Sequence, residues 1–107
     1  MEFLYVENTE LIYTNLNTPN PPTHNISYDT ISTIFYGIRT KKMLFGLIKK
    51  TEKYISIKSA KGVYDITEKD VDPAVFERYL EELKEFAHRH HVTMRESTGD
   101  AKDDWRL

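Results

Sequence analysis

The stretch from Asp72 to His91, DPAVFERYLEELKEFAHRHH, constrains this chain more than any other. Asp72 is a good N-cap residue, and Pro73 stands at the first helical position, where its missing N–H costs nothing. A helix therefore starts here. Phe76, Tyr79, Leu80, Leu83, Phe86 and Ala87 recur at steps of three and four, while Glu77, Arg78, Glu81, Glu82, Lys84, Glu85, His88 and Arg89 take the other face. Burying each large side chain of such a stripe is worth about 1.5–3 kcal/mol, and a single such helix is marginal in water. Something upstream must present a matching apolar surface.

The upstream residues read as strands. Phe3 to Val6 and Leu11 to Thr14 flank Glu7-Asn8-Thr9-Glu10, a hairpin turn by composition. Asn17 to Asn25, NTPNPPTHN, holds three prolines and three asparagines and reads as a surface loop within one domain. From Ile26 the strand pattern returns. Ile34, Tyr36 and Ile38 share one face by the two-residue period, and Ile31, Thr33 and Phe35 the other, which predicts a strand buried on both sides near its middle. Met43 to Ile48, MLFGLI, is an apolar run between lysine pairs, with Gly46 marking a bulge or bend. Tyr54 to Ser59 alternates with Ile55 and Ile57 inward and Tyr54, Ser56 and Lys58 outward, and Lys61-Gly62 turns it into Val63 to Thr67.

About six strands thus precede one helix. The expected fold is α+β: a strongly bent antiparallel sheet or open barrel of about six to seven strands, capped by one C-terminal amphipathic helix. Residues 1–92 form a single domain on this reading. Residues 93–107 lack periodicity and read as a polar, mobile tail, in which Trp105 carries enough apolar area to dock into its own domain or into a second copy.

Four features together resemble bacterial PH-like domains over Phe3 to Val92. They are the entry Ile26-Ser27-Tyr28-Asp29-Thr30-Ile31-Ser32 into a long strand, the basic segment around Leu44-Phe45-Gly46, the alternating hairpin Tyr54 to Thr67 and the closing helix. The resemblance implies the pleckstrin-homology superfold, a bent antiparallel sheet of seven strands with a C-terminal helix capping one open end. It also implies a non-catalytic binding or assembly module, on a superfold that hosts lipid, peptide and protein recognition alike.

Composition removes several chemistries. The chain has 107 residues and no cysteine, so a disulfide frame, a cysteine zinc site and a thiol nucleophile are all excluded. Its four glycines, at 37, 46, 62 and 99, make no phosphate-cradling loop. The serines and acids show no catalytic constellation, so no enzyme and no cofactor is expected. MEFLYVENTELIY is acidic and interrupted, unlike a basic-then-apolar leader, and no apolar run approaches the ~20 residues that span a bilayer. Asn25-Ile26-Ser27 fits a glycosylation triplet, but nothing else points to secretion, and the expected location is the cytoplasm.

Charge is unevenly placed. Between Arg39 and Lys61 eight basic residues face the single acid Glu52, a formal +7, which leaves −9 on the rest of a chain whose net charge is −2. Arg39, Lys41, Lys42, Lys49, Lys50 and Lys53 are therefore the candidate residues for an anionic partner: an anionic lipid, a phosphorylated ligand or an acidic protein segment. Lysines of this kind also keep strand edges from pairing with other chains. The net charge disfavours non-specific nucleic acid. The alternative function is a structural homo-oligomer whose sheet edges, acidic helix face and Trp105 carry the contacts. Glu85, His88 and His91 repeat at steps of three, as in some helical metal sites, but one helix supplies too few ligands. Histidines and Arg89 at this position also complement the negative end of the helix dipole, and no metal is expected.

Overall fold

The computed structural model describes residues 2–43 and 48–97. Among them the apolar stripe finds its cover. Helix α1 (Pro73–His90) buries Phe76, Tyr79, Leu83, Phe86 and Ala87. The first four join Leu11 and Ile26 of one sheet and Ile34, Ile55, Ile57 and Ile66 of another in a single core. Among the described residues seven strands build these sheets: β1 (Leu4–Val6), β2 (Glu10–Thr14), β3 (Thr23–Ser27), β4 (Ile31–Met43), β5 (Ile48–Ser59), β6 (Gly62–Thr67) and β7 (Met94–Ser97).

The strands do not make one bent sheet or barrel. They form a three-stranded antiparallel sheet in the order β1-β2-β3 and a four-stranded mixed sheet in the order β6-β5-β4-β7. A 3-10 turn at Tyr28–Thr30 redirects the chain between β3 and β4, and the free side of β4 is taken by β7, which runs parallel to it. That pairing also corrects the reading of residues 93–107 as tail throughout. Met94–Ser97 is a strand, held by backbone bonds such as Ile34 N–H to the Thr93 carbonyl at 2.9 Å, while residues 98–107 lie outside the described residues.

Two smaller expectations also change. The loop ends at Pro22, because Thr23, His24 and Asn25 pair with Thr14, Tyr13 and Ile12. As an edge strand β3 needs only its backbone, so a polar composition is tolerated there. Tyr54, expected outward, is buried. Its face of the second sheet is therefore buried around Phe35 and Tyr54 as well, as the reading of the Ile31–Ile38 strand foresaw for Phe35. The bend expected at Gly46 lies outside the described residues.

Helix α1 is fixed at both ends. Asp72 has an extended backbone and its carbonyl accepts the Phe76 N–H at 2.9 Å, but its carboxylate caps nothing. Asp70 orders that turn instead, accepting the Thr67 N–H at 2.9 Å and the Asn17 side-chain amide at 2.8 Å. One turn in, Arg78 pairs with Glu2, and the Tyr79 hydroxyl donates to the same carboxylate at 3.2 Å. At the far end His91 adopts φ 56°, the left-handed closure, and Val92 N–H returns to the Ala87 carbonyl at 2.9 Å. Arg89 donates to the carbonyl and side chain of Asn8 in the β1–β2 turn.

Candidate functional site

The basic segment is one long hairpin. β4 and β5 pair from Ile31 to Met43, but β6 accompanies β5 only as far as Tyr54, and β7 accompanies β4 only from Ile34 to Gly37. Beyond those points the described strands continue as a two-stranded ribbon, Ile38–Met43 against Ile48–Lys53. All six candidate residues lie on it. Its register sets Lys41 opposite Lys50 and Lys42 opposite Lys49. Like charges directly across a sheet repel, and successive rungs alternate faces, so the register sets one like-charged pair on each face of the ribbon. Lys58 and Lys61, counted in the same charged segment, sit at the other end of β5, where Lys58 faces Thr33 and Val63.

Arg39 and Lys53 already have acidic partners. The Arg39 guanidinium contacts Glu52 at 3.2 Å and lies 4.8 Å from the centre of the Tyr54 ring. With the Glu52 side chain only 3% exposed, this pair belongs to the interior of the fold. Lys53 meets Glu77 of α1 at 3.3 Å, with both side chains about half exposed. Of the remaining candidates, Lys50 is exposed.

A cleft of about 240 Å3 opens at the root of the ribbon, between β4, β5 and α1. Tyr36, Ile38, Phe76 and Leu80 give it an apolar floor, and Lys53, Glu77, Lys84 and Glu96 stand around it. The Lys84 ammonium lies 5.4 Å from the centre of the Tyr36 ring, within cation–π range. Ile38 is half exposed here. Charges of both signs ring the opening, so it favours no simple anion or cation. Sequence reasoning could not assemble it, because its residues come from four elements, β4, β5, β7 and α1, brought together only by packing.

The histidines do not converge. Glu85 pairs with Arg89 at 3.4 Å, and no group of three or more potential ligands comes together among the described residues. His90 is the histidine with a built environment: its ring stacks on Tyr28 at 4.3 Å, and Nε2 meets the Asn8 carbonyl. No described helix is long and apolar enough to cross a membrane. Compared with known proteins, the chain matches no family model and no curated protein.

Proposed function

We propose that the chain is a non-catalytic binding module that receives an anionic, phosphate-bearing partner on the β4–β5 ribbon. One observation carries this reading: the register places Lys41 against Lys50 and Lys42 against Lys49 on strands that no described neighbour flanks. Edge protection needs scattered lysines, whereas facing pairs cost stability that a bound anion would restore. At an anionic surface each such lysine contributes about 1 kcal/mol. Seven strands and a helix packed on them support the PH-like reading. The order is a departure from that pattern, since six strands precede the helix and the seventh follows it.

The test is amide chemical-shift mapping while phospholipid headgroups or anionic vesicles are added at physiological salt. Shifts are expected to centre on residues 39–53 and to vanish in Lys41→Glu with Lys42→Glu. An unchanged spectrum removes the reading and leaves the lysines as edge protection.

A second reading, self-association, is favoured by β6. Val63 is 57% exposed on it, and no described strand pairs with its outer edge. A mass that rises with concentration, and falls back in Val63→Lys, is the outcome that would support it.

A further inference from the structure

The cleft at the root of the ribbon and one of the two lysine pairs share a face. Ile38 and Lys53 form a rung of the β4–β5 pairing, in phase with the core residues Ile34 and Ile55. The contact of Lys53 with Glu77 of α1 fixes that face as the helix side. Two rungs of the same phase follow outward, Thr40 with Thr51 and then Lys42 with Lys49. The rung of Lys41 and Lys50 falls on the other face. Ile38 thus lies four residues, or about 13 Å, from the like-charged rung that shares its face.

The cleft is suited to one side chain. Tyr36, Phe76 and Leu80 floor it, Ile38 stands half exposed beside them, and its volume is about 240 Å3. An apolar cavity of about 150 Å3 already admits a benzene-sized group. A recess between a helix and a sheet takes a single projecting group and not the flat surface of a bilayer. At its rim Lys53 and Lys84 offer donors, and Glu77 and Glu96 acceptors, to the main chain on either side of such a group. In an extended peptide, side chains four residues apart project on the same side and stand about 13 Å apart. A helical peptide advances only about 6 Å in four residues, so it does not match this spacing.

We infer that the partner is an extended phosphopeptide, whose large apolar side chain enters the cleft while a phosphorylated side chain four residues away reaches the rung of Lys42 and Lys49. This ligand class rests on the anion-binding reading of the ribbon; it adds the cleft as anchor and the spacing as register.

The probe is a fluorescein-labelled nine-residue peptide of serine and glycine, with leucine at its third position and phosphoserine at its seventh, read by polarisation at physiological salt. Replacing the leucine by alanine is expected to weaken binding about tenfold. Moving the phosphoserine to the sixth position, which turns it to the other side of an extended chain, is expected to weaken binding about as much. Ile38→Ser is expected to abolish the preference for leucine over alanine. Lys42→Gln with Lys49→Gln is expected to weaken binding about fivefold more than Lys41→Gln with Lys50→Gln, an equal change of charge on the other face.

Equal affinity for the leucine and alanine peptides overturns the inference. So does equal affinity for the two phosphoserine positions, or an equal loss from the two lysine pairs. If vesicles containing phosphatidylserine shift the ribbon amides and the phosphopeptide does not bind, the anion site stands and the phosphopeptide falls. If neither binds, both fall.

Discussion

Gly37 and Ser97 meet across β4 and β7 so closely that the Ser97 carbonyl occupies the place where a Cβ at residue 37 would stand. Gly37 also holds φ at +140°, a conformation that side chains with a Cβ rarely adopt. Two independent constraints therefore demand glycine here. Gly37→Ala is expected to cost about 2 kcal/mol and to loosen β7 before the rest of the sheet. Urea unfolding would show the lower midpoint, and amide exchange at residues 94–97 would show where the loss falls. Full stability with those amides still protected would contradict the close approach.

Gly37 also shows what could be read from the chain and what could not. A glycine inside the run Ile31–Ile38 signals a close backbone approach, but nothing in the sequence says which backbone approaches. Met94–Ser97 has no apolar alternation, with Met94 alone packing against the core, because a short edge strand is held mainly by main-chain bonds. β3 escaped for the same reason. Helix α1 was legible because Phe76, Tyr79, Leu83 and Phe86 must share one face, and the hairpin of β5 and β6 because Ile55, Ile57 and Ile66 alternate around a two-residue turn. The candidate lysines were legible in number but not in register. Arg39 finds Glu52 only through strand pairing, and Lys53 finds Glu77 only through the packing of α1, so no local pattern revealed either partner.

The pair of Arg39 and Glu52 is expected to be structural. Arg39 is mostly buried, Glu52 almost wholly so, and they meet in a patch that also holds Tyr54. Arg39→Met is expected to lower stability by about 1.5–3 kcal/mol, the range for a hydrogen bond to a charged group taken from a buried site. Replacing both residues by methionine should recover part of that loss, because no charge then stays out of water. Melting of the two single variants and the double variant gives the coupling. Arg39→Met at wild-type stability would return Arg39 to the list of residues available to a ligand.

Tyr13 makes stability depend on alkaline pH. Its hydroxyl donates to the Asp65 carbonyl at 2.7 Å, and its pKa is pushed up to about 12, first by burial and then by the nearby charges of Asp65 and Asp70. The unfolded phenol loses its proton near pH 10. The folded form holds the proton more tightly, so this contribution is intact below about pH 10 and is lost as pH rises toward about 12. Burial also raises Tyr79, which acts in the same direction. Tyr13→Phe is therefore expected to be less stable than wild type at neutral pH but to fall less steeply above pH 10. Parallel profiles of stability against pH for the two proteins would show that the Tyr13 proton is not held by the fold.

The lysine ribbon allows stability and binding to be separated. Because Lys50 faces Lys41, and Lys49 faces Lys42, the fold carries a repulsion that a single reversal should relieve. Lys50→Glu is expected to stabilise the protein by about 0.5–1 kcal/mol, by turning a like pair into an opposite one. Salt should do something similar to the wild type, raising its melting temperature as the lysines are screened, and should do less for Lys50→Glu. The same substitution should weaken binding to anionic vesicles. A gain in stability together with a loss of binding would show that the ribbon tolerates repulsion that its anionic partner relieves. A Lys50→Glu variant that is less stable than wild type would show that the facing lysines do not strain the hairpin, and the main support for the anion site would be gone.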